Sequence, residues 1–135
     1  MPENDAADPG AAADPESDET EHRLILAAKA YLTSHIPDAT LERTALTVGL
    51  SPSYFSRLFH RVTGETFSDF LMRLRMETAA RLLSESDLKL FEVALRAGYD
   101  NPKNFSRAFR GFYELTPTQY RDKYWKKGSQ QGQTQ

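Results

Sequence analysis

SPSYFSRLF at residues 51–59 returns as NPKNFSRAF at residues 101–109. A nearly identical pentapeptide, FSRLF against FSRAF, decides little by itself, but the segments in front of it repeat as well. LERTALTVGL (41–50) aligns with LFEVALRAGY (90–99), pairing Leu41 with Leu90, Ala45 with Ala94 and Gly49 with Gly98. Further on, Thr66 pairs with Thr116. The offset is 49 before the turn and 50 after it, because Asp100 adds one residue to the second turn. Each unit reads as a short helix stopped by a glycine, then a second helix opened by a capping Ser or Asn and a proline. That is the helix-turn-helix layout, in which a small Ala lets two helices pack closely and Gly permits the tight turn.

The remaining periodicity is helical throughout and no alternating strand pattern occurs. The spacing predicts a first helix from about His22 to His35, with Leu24, Ala27, Ala28, Tyr31 and Leu32 on one face. Thr40 caps a second helix to about Val48, and Ser51-Pro52 opens a third that ends near Thr63-Gly64. Thr66-x-x-Asp69 reads as a capping box for a fourth, running to about Ser84. Its expected inner stripe is Phe67, Phe70, Leu71, Leu74, Thr78 and Leu82. At ~1.5 Å per residue such a helix spans ~27 Å, against the ~34 Å that separates readers one DNA turn apart. A fifth helix covers about Leu90 to Ala97, a sixth runs from Asn101-Pro102 to Tyr113, and a seventh from Thr116-Pro117 to about Trp125. The expected fold is all-α: about seven helices in two helix-turn-helix subdomains (about 41–63 and 90–113) joined by a linker helix (about 67–84).

In the second helix of each unit, Phe55, Leu58, Phe59 and Val62 fall at i, i+3, i+4 and i+7, as do Phe105, Ala108, Phe109 and Phe112. These stripes face the core. Ser53, Ser56, Arg57 and His60 then face outward from one helix, and Lys103, Ser106, Arg107 and Arg110 from the other. One outward Arg or Ser is an ordinary solvated residue. Short polar residues with an arginine at the same place in both repeats suit a helix lying in a major groove. There Arg can make two hydrogen bonds to guanine, and Ser permits close approach.

The formal net charge of −2 conceals an asymmetry. Residues 1–22 carry eight acids (Glu3, Asp5, Asp8, Asp14, Glu16, Asp18, Glu19, Glu21) and no Lys or Arg. Removing these eight from the chain's 19 acids leaves 11 against 17 Lys and Arg, a net of +6 over residues 23–135. A basic body with an acidic tail points to a polyanionic partner. Residues 1–21 are Ala-, Pro- and acid-rich without an aromatic, so a disordered tail is expected there, as it is for 128–135. The acidic tail reads as a solvated leader; a sharper alternative is that it folds back on the basic face and competes with DNA. There is no secretory leader pattern, and no apolar run approaches a membrane span, so a cytoplasmic location is expected.

With no cysteine, disulfides and thiolate chemistry are excluded. His22, His35 and His60 lack metal-site spacing, and Ser51, Ser53 and Ser56 have no catalytic base nearby in sequence. No enzyme activity, metal or cofactor is expected.

The stretches LSPSYFSRLFHRVTGETFSDFLMRLRMETAARLL (50–83), VALRAGYDNPKNFSRAF (93–109) and LTPTQYR (115–121) resemble the AraC/XylS family of bacterial transcription regulators. The resemblance covers about residues 22–124. It implies a homeodomain-like pair of subdomains, within a DNA-binding domain taken here as residues 22–127, reading adjacent major-groove segments of double-stranded DNA. Carried over by position, it implies base contacts at Ser53, Ser56 and Arg57 in the first reader and at Lys103, Ser106 and Arg107 in the second. Tyr54, His60, Arg61, Asn104 and Arg110 are candidate backbone contacts. Gly49, Gly64 and Gly98 would be turn residues, and Arg75, Ala79, Leu82 and Leu83 the linker-helix pattern. The resemblance also implies activation of transcription through RNA polymerase by a monomer or weak dimer on the bacterial nucleoid. Three positions depart from the family pattern: Glu114 stands where a glycine is usual, Lys89 where a capping Ser or Thr is common, and Ser53 and Ser56 where larger readers occur. Two other readings stay open. One is the DNA-binding fragment of a longer effector-responsive regulator, although the initial Met favours a stand-alone protein. The other is a helix-turn-helix protein-interaction module without DNA binding.

Overall fold

In the computed structural model, which describes residues 15–126, seven α-helices and one 3-10 turn follow one another, with no strand among the described residues. They are α1 (Pro15–Ser34), the 3-10 turn Ile36–Asp38, α2 (Leu41–Thr47), α3 (Pro52–Thr63), α4 (Phe67–Glu85), α5 (Leu90–Arg96), α6 (Pro102–Tyr113) and α7 (Pro117–Tyr124). The chain divides into two compact units. One takes residues up to His35 with Ala39–Leu71; the other takes Ile36–Asp38 with the residues from Met72 onward.

Local chemistry explains most of the helix ends. Thr40 Oγ1 accepts from the Arg43 N–H at 3.0 Å and Ser51 Oγ from Tyr54 N–H at 3.2 Å. Asn101 Oδ1 accepts from Lys103 N–H at 2.8 Å and from Asn104 N–H at 3.3 Å. Around Thr116 the box is complete: its hydroxyl oxygen accepts from Gln119 N–H (3.1 Å) and Gln119 Oε1 accepts from Thr116 N–H (2.8 Å). Lys89 has no acceptor to offer, and half of that cap is supplied by Glu92, whose carboxylate accepts from the Lys89 N–H at 2.8 Å. The two turns close with the same bonds. Leu50 N–H donates to Ala45 O at 3.0 Å and Tyr99 N–H to Ala94 O at 2.9 Å, around Gly49 (φ 74°) and Gly98 (φ 94°).

In the first unit, α1 presents Ile25, Ala28 and Leu32 to a core completed by Ala39, Ala45, Phe55, Leu58, Phe59, Phe67 and Leu71. The ring of Phe59 stands edge-on to those of Phe67 and Phe70, with centroids 5.7 and 5.3 Å away. Thr44 is buried without penalty because its hydroxyl donates to Thr40 O at 2.7 Å. The second unit packs Met76, Ala79, Ala80 and Leu83 of α4 against Val93, Ala94 and Ala97, with Phe105 and Phe109 of α6. Arg121 of α7 donates to Leu83 O at 2.9 Å and Ser86 O at 3.0 Å, answering carbonyls left open at the end of α4.

Four expectations need correction. Helix α1 begins at Pro15 rather than near His22, so the expected disordered tail does not reach residue 21. Asp18 and Glu19 near its start suit the helix dipole, and Glu19 pairs with Arg23 one turn on at 3.4 Å. Residues 1–14 and 127–135, the remainder of both expected tails, lie outside the described residues. The buried face of α1 is also rotated: Ile25 is inside and Ala27 exposed. On α4 the inner stripe changes along its length, from Phe67 and Leu71 to Met76, Ala79, Ala80, Leu83 and Ser84, while Leu74, Thr78 and Leu82 are half-buried. The cause is that its two ends serve different cores. Phe112 is 41% exposed, because Tyr113 takes the place beside Phe109 (centroids 4.7 Å) and Tyr120 (5.2 Å).

Candidate nucleic-acid interface

Each second helix is pinned at its start by a side-chain cap and on its inner face by two phenylalanines, Phe55 and Phe59 or Phe105 and Phe109, all fully buried. With both constraints set, the opposite face has to be the outer one. On α3, Ser53, Arg57 and His60 are exposed, and Tyr54 and Ser56 half-buried. On α6, Lys103, Asn104, Arg107 and Arg110 are exposed and Ser106 half-buried. The structure therefore brings each sequence-derived set together on one helix face, within its own unit.

The two arginines at matched places are held differently. The Arg57 guanidinium lies over the Tyr54 ring, 5.9 Å from its centroid. Arg107 Nη1 donates to Asn104 Oδ1 at 3.4 Å. Both partners sit three residues earlier, the spacing that puts side chains on one helix face. Ser106, Arg107, Arg110, Gly111 and Thr116 line an open groove beside α6. Gly111 and Thr116 were not among the sequence-derived site residues. Gly111 takes the place of Arg61 in the first repeat, and that alignment was the available signal.

Arg61 is exposed too, but its guanidinium is paired with a buried acid. Its Nη1 and Nη2 donate to Glu21 Oε1 and Oε2 at 3.1 and 3.5 Å, and Glu21 is 5% exposed. This fork-on-carboxylate pair joins α1 to the last turn of α3. By sequence Glu21 belongs to the acidic tail, since nothing local links it to a residue 40 positions away.

Other charge effects lie off this face. Burial pushes the Arg75 guanidinium below its ordinary value, opposed by Tyr99, while its Nε donates to Ile36 O at 3.3 Å. Burial, with Tyr120 and Glu77 nearby, pushes the Tyr113 hydroxyl up to about 12. Tyr120 is raised as well, first by burial and then by Tyr124. Among the described residues no group of His, Asp or Glu could hold a metal ion, and no helix is long and apolar enough to cross a membrane.

A protein-family profile described as a helix-turn-helix domain matches residues 45–123, spanning both repeats and the helix between them. The chain belongs to the AraC/XylS family. Among AraC-type relatives it is 38% identical over 92 residues to the regulatory protein PocR of Salmonella typhimurium, covering 67% of this chain and 30% of PocR. It is 30% identical to the regulatory protein SoxS of Escherichia coli over 103 residues, covering 76% of this chain and 96% of SoxS. The crystal structure of the DNA-binding domain of AdpA in complex with a target DNA superposes with a TM-score of 0.69 and 30% identity, covering 74% of this chain and 91% of that one. PocR and three further relatives are much longer than the matched region, which spans at most 34% of their length.

Proposed function

We propose that this chain is a sequence-specific DNA-binding transcription regulator in which α3 and α6 each enter a major-groove segment of double-stranded DNA. The observation that carries the reading is the doubled surface: in both repeats a cap and two buried phenylalanines leave a serine–arginine pair outward at the same place, Ser56-Arg57 and Ser106-Arg107. Arg57 and Arg107 read base edges, with Ser53, Ser56, Lys103 and Ser106 beside them. His60 and Arg110, flanked by Tyr54, contact the backbone and set register. Arg61 stays a candidate backbone contact, steadied by its pair with Glu21. The family resemblance supports activation through RNA polymerase by a monomer or weak dimer, acting in the bacterial cytoplasm on the nucleoid.

The test is binding of a fluorescent duplex selected from a random library, set against an unselected duplex, over a salt series. The reading expects a preference for the selected duplex and a steep loss of affinity with salt as phosphate contacts are screened. Equal and salt-independent affinities, or no binding, would leave a protein-interaction module instead.

A further inference from the structure

We propose that Asn104 is a positioning residue that sets the base preference of the second reader by holding Arg107. The proposal rests on the assignment of Arg107 to base edges and goes beyond it by naming what aims the guanidinium. Arg107 Nη1 donates to Asn104 Oδ1 at 3.4 Å. Arginine has no acceptor, so the Asn104 side chain must turn its carbonyl to Arg107; the amide orientation follows from chemistry. Asn104 is itself fixed at its backbone, since its N–H donates to the Asn101 cap at 3.3 Å. Both side chains are exposed, so a duplex can reach the pair.

Two consequences follow. An arginine with one nitrogen already engaged has fewer rotamers to lose when DNA arrives, and its remaining N–H groups suit the paired acceptors O6 and N7 of guanine. Asn104, with one lone pair of its carbonyl engaged by Arg107, offers its amide N–H groups most freely. The second reader should therefore prefer guanine opposite Arg107, flanked by a base that presents an acceptor. At the matching place in the first repeat Tyr54 offers an aromatic face to Arg57, so the same rule does not carry over.

The experiment is a double-mutant cycle on the full chain with N104A, R107A and the double variant. Each is titrated with the selected duplex, with its single-base-pair variants and with an unselected duplex, after circular dichroism confirms an unchanged melt. At the base pair whose preference R107A erases, N104A should weaken that preference about fivefold, the order of one hydrogen bond, and by nothing further once Arg107 is gone. Affinity for the unselected duplex should stay within about twofold, since no phosphate contact is removed. An equal loss on selected and unselected duplexes would make Asn104 a backbone contact and overturn the proposal. The same loss of preference in both backgrounds would make it an independent reader, which also overturns it. A wild-type chain without preference for any duplex would instead remove the DNA-reading assignment itself.

Discussion

At the end of α3 the chain turns on Gly64 (φ 84°), and at the matching place after α6 it turns on Glu114 (φ 65°). Both caps donate an N–H to the residue four back, Gly64 to His60 O at 2.9 Å and Glu114 to Arg110 O at 2.7 Å. The backbone is the same although one side chain suits the left-handed region and the other does not. Below that turn the repeats diverge again. The first is closed by α1 through Glu21 and Arg61; the second is closed by α7, through a ladder of Phe109, Tyr113 and Tyr120 and the grip of Arg121 on the end of α4. The turn and the outward arginine are common to both units, while the means of holding them is not.

The most damaging way to break the comparison is to empty one core. Phe109→Ala removes a fully buried ring and should cost about 3–5 kcal/mol in chemical denaturation, with Phe59→Ala of similar size in the first unit. Arg107→Ala should cost about 1–3 kcal/mol on a selected duplex and relax one half-site, seen by titrating base-substituted duplexes; an equal loss on unselected DNA would reassign it to the backbone.

Glu21→Ala strips the first unit of its closure. A buried pair broken on one side costs about 3–5 kcal/mol. Arg61 is 39% exposed and water screens it, so about 1–2 kcal/mol is expected here by thermal melting. A null result would mean that the pair contributes no more than a surface one. The caps should respond in opposite senses. Glu114→Gly should raise stability by up to about 1 kcal/mol and Gly64→Ala lower it by about 1 kcal/mol, because only the second forces a Cβ into the left-handed region.

The smallest effect is confined to alkaline pH. The Tyr113 hydroxyl is raised to about 12, so folding favours its neutral form. That contribution is fully present below the ordinary tyrosine value of about 10 and is lost as pH rises through about 12. A tyrosinate absorbance titration alongside a denaturation series should place the loss in that window, and Tyr113→Phe should abolish it.

The repeat was legible in the sequence because its signals are local: a cap, a proline, a glycine and phenylalanines one turn apart all act within a dozen residues. Arg57 and Arg107 could be placed on an outer face for the same reason, since a buried stripe fixes the opposite side of its helix. What escaped depended on distant partners. Glu21 reads as one more acid in a tail until Arg61 is placed beside it, and α1 was cut short accordingly. The stripe of α4 could not be phased as a single face, because Phe67 and Leu71 answer to one core and Met76 and Leu83 to another. Phe112 keeps perfect helical spacing yet stays half outside, since Tyr113 has the better neighbours.

The central claim is that two unlike repeats each read DNA through one arginine. Its most direct test is selection from a randomised duplex library with the wild-type chain, Arg57→Ala and Arg107→Ala in parallel. Two short motifs are predicted for the wild type, with each variant losing a different one and retaining the other. Motifs that persist in both variants, or that vanish together in either, would contradict the account.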